Sequence, residues 1–420
     1  YLHPKLKPIL EKTYGVVLYQ EQVIEIATVV AGFTPGEADR LRRVMTHARS
    51  QKEMEAIGKE FIAKAELRGI SQEVAETIYS YIQGYASYGF CEAHAAAFGT
   101  IAYKTAYLLA HYPAQYFAAL LSNQPMGYYP PNTLCQEARR RGISILLPDI
   151  NLSGASFQAT EKAIRISLRQ VHGMSQDTLT AILKARKSGP FLSLQDFCSR
   201  VRVEKDILHC LILCGAFDSL NPNRRQLIWQ AAGQLTKKKL TAKKSAGHTL
   251  AIVPEDIQKE VNQTAYSGVP DFSSEEKQRY EYSLLRIDVH EHYMARWRQI
   301  LTENGVLSSA QVKEMNNNAM VTASGTVLRP HRPPTRSGRT VVFLSLEDEF
   351  GLVDITVFED IYQLYGRLIF CNPSPPLVVK GKVKREGRNI SITALKIETL
   401  SQFLAERLKP EMLTNTGRSG

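Results

Sequence analysis

Long apolar runs are missing from this 420-residue chain: none approaches the roughly twenty residues of a membrane-spanning helix, which excludes a helical anchor within it. No basic stretch followed by an apolar one stands at its start, so no secretory signal is expected and a cytoplasmic protein, without a membrane partner, is the default. Cysteine is sparse, and Cys91, Cys135, Cys198, Cys210, Cys214 and Cys371 follow no repeating spacing. That argues against a disulfide framework and against zinc. Cys210 and Cys214 stand four apart on an apolar helix, but no Cys or His pair of ligand spacing accompanies them; a buried structural role is expected, and no metal site is assigned. Acidic residues are in deficit, 41 against 52 Lys and Arg, leaving a net charge of +11 that suits a polyanionic partner. Charged content of 22% and hydrophobic content of 44% are otherwise ordinary for a globular protein, so composition excludes neither an enzyme nor a binding module. The length exceeds one compact core and predicts about two to four domains.

The first ~125 residues carry helical periodicity with clear punctuation. Val23, Ile26, Ala27 and Val30 recur at helical spacing up to Phe33. Thr34, Pro35 and Glu37 then form a helix start, with Thr34 as N-cap and Glu37 reaching back to it. On the helix that follows, Leu41, Val44, Met45 and Ala48 share one side, and Arg40, Arg43 and His47 make an adjoining stripe, with Arg42 at the other edge. A further helix bears Val74, Ile78, Tyr81, Ile82 and Tyr85, and a long tyrosine-studded apolar helix runs to Pro113.

From about 126 to 230 the helices shorten. Val171-His172-Gly173-Met174, followed by Leu179, Ile182 and Leu183, has the pattern of a helix-hairpin-helix, whose turn and helix N-terminus offer N–H groups to a DNA phosphate. Ser175 stands where a second glycine is common, so a purely structural hairpin and a DNA-gripping one are both open. A second, poorer copy is expected at Ile207 to Phe217. Residues 231–280 are polar and include a lysine run from Lys237 to Lys244, which predicts a basic linker. Helical sequence resumes over 281–317. Strand patterns follow at Val321–Leu328, Thr340–Leu346, Leu352–Phe358, Leu377–Val383 and Ile390–Leu395, with a helix-like Asp360–Tyr365 between the third and fourth. That order predicts an OB-fold barrel over 318–402, a small fold that commonly holds single strands, with 403–420 as a tail. Arg329, Arg332 and Arg336 on its first long loop, and Lys380, Lys382 and Lys384 on one strand, are its candidate DNA contacts. The expected class is thus multidomain, mainly α-helical over the N-terminal two-thirds, then a small all-β OB barrel.

Tyr19-Gln20-Glu21-Gln22, Ala38-Asp39-Arg40-Leu41-Arg42-Arg43 and the segment from Gly84 to Pro113 with Tyr88, Gly89, Phe90 and His94 together resemble the fingers region of the alpha subunit of bacterial DNA polymerase III, a C-family DNA polymerase. Asn123-Gln124-Pro125-Met126-Gly127-Tyr128-Tyr129 is similar to the error-prone, translesion branch. The resemblance implies partial polymerase fingers over 1–125, a helix-hairpin-helix region over 126–230, and a nucleic-acid-binding OB domain after a helical connector. It also implies primed and single-stranded DNA and deoxynucleoside triphosphates as partners, in error-prone repair synthesis. By the same resemblance Arg42 and Arg43 lie near the triphosphate, where guanidinium forks grip phosphate oxygens, with Arg40 and His47 beside them. Arg42 paired with Asp39 is the equally open alternative. Tyr19, Gln20, Gln22, Tyr88 and His94 carry over as pocket candidates, with a satisfied core position equally open for His94, while core packing is the expectation for Phe90. Thr46, His47 and Ala48 replace the family's lysines, which weakens the expected triphosphate grip.

Polymerase chemistry requires carboxylates that hold two metal ions. No Asp-x-Asp within a strand is present, and Asp348 and Asp354 read as turn and surface residues. The expectation is therefore no catalytic residue in this chain, Mg2+ only in the complete polymerase, and a palm supplied by preceding sequence or by a separate polypeptide. The chain starts at Tyr1 within family-like sequence, which suggests a piece of a longer frame or a split gene. No Gln-x-x-Leu-x-Phe peptide for a sliding clamp stands out in the linker, leaving that partner undecided. Two other readings remain: a DNA-binding accessory protein that never polymerises, and a scaffold without salt-dependent DNA binding.

Overall fold

A computed structural model describes residues 1–47, 51–85, 90–232, 268–335, 338–387 and 389–407. The chain divides into two compact units, Tyr1–His111 and Tyr112–Gly420.

The first unit is helical: α1 Lys7–Leu10, α2 Gln20–Ile26, α3 Pro35–His47, α4 Gln51–Glu66, α5 Gln72–Tyr85 and α6 Glu92–His111. The stripes read from the sequence supply much of its core, where Val23, Ile26, Leu41, Met45, Ile78 and Ile82 are buried together with Phe61, whereas Tyr81, read on the same stripe as Ile78, is exposed. Helix α3 starts as expected: Glu37 accepts from the Thr34 N–H at 2.8 Å and from its hydroxyl at 3.0 Å. Lys64 reaches the other Glu37 oxygen at 2.6 Å, and with the Thr34 bonds it holds that carboxyl down at about 2. Helix α6 is unusual. It carries Phe98, Ile101, Tyr103, Tyr107 and Leu108, yet none of its residues is buried.

The second unit begins with α7 Pro113–Ser122 and α8 Pro131–Arg140, then a small sheet of order β1-β3-β2 from Ser144–Leu146, Gln158–Ala159 and Ala163–Arg165. Helices α9 Gln176–Arg186, α10 Leu194–Arg200 and α11 Lys205–Leu213 follow. The lysine run Lys237 to Lys244 lies outside the described residues. Helix α12, Ser274–Leu285, begins seven residues before the expected connector, because Ser273 and Glu276 form a reciprocal cap that polarity alone had read as linker. Short helices α13 Arg298–Glu303 and α14 Ser309–Glu314 lead into the barrel.

Five strands close that barrel in the order β4-β5-β6-β8-β7: β4 Met320–His331, β5 Val341–Asp348, β6 Gly351–Phe358, β7 Leu377–Glu386 and β8 Asn389–Thr399. Helix α15, Glu359–Phe370, lies between β6 and β7. Strand β4 serves both ends of the closure, pairing with β7 through its first half and with β5 through its second, across a register shift between Leu328 and His331. Gly381 sits at the β7–β8 register shift, where a Cβ would lie 2.1 Å from the Thr393 carbonyl oxygen; only glycine lets the strands approach so closely. Alternation along β7 buries Leu377, Val379 and Val383 in the barrel and leaves Lys380, Lys382 and Lys384 outside. The expected tail is a correction. Helix α16, Leu400–Ala405, buries Phe403 and Leu404 against Met294, Leu301 and Val378, so its apolar face belongs to the fold.

A buried polar seam joins the barrel to the helices around it. The Thr133 hydroxyl on α8 donates to Glu347 on β5 at 2.8 Å, and Arg140 stands 3.7 Å from the other Glu347 oxygen. Arg139 donates to the carbonyls of Asp288 and Val289, each at 2.7 Å. Asp348 is 1% exposed, which overturns its reading as a surface residue. It accepts from the N–H groups of Ser309, Phe350 and Gly351 and pairs with Arg298 at 3.0 Å, tying α14 and α13 to the β5–β6 turn.

Candidate nucleic-acid interface

In the first unit the fold brings the two family-like segments together. The Gln20 N–H donates to the Phe90 carbonyl at 3.1 Å, and the Tyr19 and Phe90 rings meet edge to face at 5.8 Å. Glu21 accepts from the Glu92 N–H at 3.0 Å, at the start of α6, where acceptance of the orphan donor is favourable. Burial works to raise the Glu21 carboxyl, but that N–H bond and the nearby Arg42 hold it below its ordinary value.

Arg42 bridges these segments to α3: its guanidinium donates to Gln20 Oε1 at 3.1 Å and to Asp39 at 2.9 Å. Arg43 also grips Asp39, at 2.8 Å. Bonding to Arg43, then to Arg42, keeps the Asp39 carboxyl below the usual range. Arg40 is exposed on the same helix. The side chain of His47 and all of Tyr88 lie outside the described residues. His94 is exposed on α6 with its ring 4.6 Å from Phe98. Gln22 is 4% exposed and serves the fold: its oxygen accepts from the N–H groups of Leu18 and Tyr19, and its amide donates to Ile9 and Thr13. Phe90 is 46% exposed, against the expectation of core packing. It lines an apolar groove of about 700 Å³ with Val16, Leu18, Tyr81 and Tyr85, because its backbone pairing with Tyr19 sets the ring at the rim.

In the second unit His172, Gly173 and Ser175 of the hairpin turn are exposed, and the His172 N–H donates to the Leu284 carbonyl at 2.9 Å. Gly173 has φ +76°, a left-handed conformation that favours glycine, and a Cβ there would press on the Ile207 Cδ1 at 2.9 Å. The Ser175 hydroxyl accepts from the Thr178 N–H at 3.1 Å as the N-cap of α9, so the residue that departs from the glycine pattern has a local task. The second hairpin, Ile207 to Phe217, offers no such turn: Cys214, Gly215, Ala216 and Phe217 are all buried beneath Arg224, which pairs with Asp218 and Glu281.

A groove of about 670 Å³ lies across β5, β6 and the ends of β4, β7 and β8 of the barrel. Of the six basic candidates, Arg329 and Lys384 line it. Lys384 also pairs with Glu386 at 2.8 Å. Lys380 and Lys382, on the same outer face of β7, are not part of the groove lining, and Arg332 turns to Tyr362 on α15, 5.9 Å from the ring. Arg336 lies outside the described residues. Residues the sequence reading missed define the floor: Phe343, 39% exposed on the outer face of β5, lies 5.6 Å from the His331 ring at an interplanar angle of 31°, with Phe358 farther along. Outward aromatics at alternate strand positions were the available signal. Exposed rings with cations at the edge suit stacked bases and a phosphate backbone. Among the described residues no group of three His, Cys, Asp or Glu stands close enough to hold a metal ion.

Residues 1–69 match the bacterial DNA polymerase III alpha subunit finger domain, and residues 142–227 match the helix-hairpin-helix motif. The error-prone DNA polymerase of Symbiobacterium thermophilum is 50% identical over 434 residues, covering 95% of this chain and 40% of that protein. Error-prone DNA polymerases of Anaeromyxobacter dehalogenans and Bdellovibrio bacteriovorus are each 33% identical, over 93% and 94% of this chain and 34% and 38% of their own lengths. The chain therefore spans about two-fifths of the first of these relatives.

Proposed function

Because this chain belongs to the bacterial DNA polymerase III alpha-subunit family, on its error-prone branch, we propose that it supplies the nucleotide- and DNA-holding part of an error-prone, template-directed DNA polymerase. The observation that carries the reading is a single alignment with an error-prone polymerase that runs through both units over 95% of the chain. The division of labour follows from the chemistry of each place. The arginine-bearing helix α3, backed by Asp39 and Gln20, offers a cationic edge for an incoming triphosphate. The exposed hairpin turn before α9 offers N–H groups to a phosphate of the duplex. The barrel groove, with Phe343, His331, Arg329 and Lys384, takes the single strand.

The divalent ions and their carboxylates are supplied by a palm outside this sequence, and the working enzyme acts in the cytoplasm. Purified alone with primed template, four nucleotides and magnesium, the chain should extend no primer. Addition of a palm-bearing polypeptide, fused or separate, should restore extension. Chelator-sensitive incorporation by the chain alone overturns the division of labour. Salt-dependent DNA binding without extension under any palm supplementation favours the accessory protein instead.

A further inference from the structure

We infer that Tyr128 and Tyr129, held beside Arg329, extend the barrel groove into a longer track that stacks unpaired bases of a DNA strand after it leaves the barrel. This rests on the reading of the groove as a single-strand site, and it adds residues from a segment far from the barrel in sequence.

Arg329 is the joint. It lines the groove with His331 and Phe343, and its guanidinium carbon lies 4.7 Å from the Tyr128 ring centroid and 5.2 Å from that of Tyr129. Its Nη1 donates to the Tyr129 hydroxyl at 3.3 Å. The His331 Nδ1 and the Arg329 carbonyl oxygen are 3.1 Å apart, and His331 meets Phe343 in turn. Contacts therefore lead from Phe343 to His331, from His331 to the Arg329 backbone, and from the Arg329 guanidinium to both tyrosine rings.

Two features separate this arrangement from ordinary packing. Arg329 has φ +53°, a left-handed conformation that a residue bearing a Cβ adopts at an energetic cost, within the register shift between Leu328 and His331, and such strained residues concentrate at binding sites. Tyr128 is 76% exposed, so its ring contributes almost nothing to a core. An aromatic ring left open to water, with a guanidinium beside it, presents a face to which any of the four bases can stack. Tyr129, at 38% exposure, is the anchored member, and its hydroxyl positions the arginine.

The experiment measures binding of oligothymidylates from about four to about sixteen nucleotides to the whole chain by fluorescence anisotropy at fixed salt. The parent should gain affinity with length to a plateau. The double variant Tyr128→Ala, Tyr129→Ala should bind the shortest oligonucleotide like the parent and lose about tenfold on the longest. Tyr128→Phe, which keeps the ring, should retain the parent's length dependence, and thermal melting of every variant separates a binding loss from unfolding. If the alanine pair follows the parent at every length, or weakens all lengths equally, the extension is wrong while the groove reading stands. If the parent binds no oligonucleotide, the groove reading fails and the extension fails with it.

Discussion

Arg42 and Arg43 share one carboxylate: Asp39 accepts from Arg42 through Oδ1 and from Arg43 through Oδ2. Two consecutive guanidiniums would repel each other on a bare helix, and the shared anion holds both on one edge. Their settings differ. Arg42 is additionally bound to Gln20, whereas the Arg43 side chain is 67% exposed and pairs within its own helix. A surface pair of this kind contributes little to folding and is readily exchanged for a stronger anion.

Arg43 should therefore behave as a ligand group. With a palm supplied, Arg43→Ala lowers the efficiency of single-nucleotide incorporation by about 2 to 4 kcal/mol. Its melting temperature stays near the parent's, since exposed substitutions of this kind typically change stability by about 0.5 kcal/mol or less. Unchanged incorporation would make it a surface charge, and a large fall in melting would make it structural.

In the barrel groove, stacking and charge are separable by salt. Phe343→Ala should weaken single-strand binding by an amount independent of salt. Lys384→Ala should flatten the dependence of log affinity on log salt by about 0.7, the contribution of one phosphate contact on a single strand. Titrations of the whole chain at several salt concentrations check both, and an unaltered slope for Lys384→Ala removes its phosphate contact.

The hairpin turn predicts two losses of different origin. Gly173→Ala puts a Cβ into a left-handed residue and against Ile207, and should destabilise by roughly 1 to 2 kcal/mol. Ser175→Ala removes the N-cap of α9 and should cost about 1 kcal/mol. Chemical denaturation measures both; an undiminished stability for Gly173→Ala would show that the turn does not hold this conformation.

The polar seam gives a pH signature. Burial pushes the Glu347 carboxyl up to about 7, against the pull of Thr133 and Arg140. The folded state thus keeps a proton that the unfolded chain loses near 4.5, so this group's contribution to stability declines as pH rises from about 4.5 through 7. His292, lowered to about 4 chiefly by burial, runs the opposite way, its contribution growing as pH rises from about 4 to 6.5. Glu347→Gln cancels only the first of these. Its melting temperature should rise relative to the parent's as pH goes from about 5.5 to 8, and a constant difference across that range would place the Glu347 titration at its ordinary value.

The helix starts, the core stripes and the barrel strands were legible because they are local: Thr34 and Glu37 are three residues apart, and alternation along β7 needs no partner to be seen. Most departures came from contacts distant in sequence. Phe90 reads as core from its neighbours, yet pairing with Tyr19, seventy-one positions earlier, places it at a groove rim. Asp348 reads as a turn residue, and only the arrival of Arg298 and Ser309 makes it a buried hub.

By itself the sequence determined the basic charge, the helical-then-barrel order, the family-like arginine pair and the outward lysines of β7, all properties of composition and of the short periods 3.6 and 2. Tertiary structure alone decided which of those basic groups face a groove. Closure of β4 onto both β5 and β7 bends the barrel so that Arg329 and Lys384 border one concavity while Lys380 and Lys382 do not. It also brought Tyr128 and Tyr129 to Arg329 across two hundred residues, a proximity that no spacing along the chain encodes, because it arises from the packing of α8 and the barrel through Glu347.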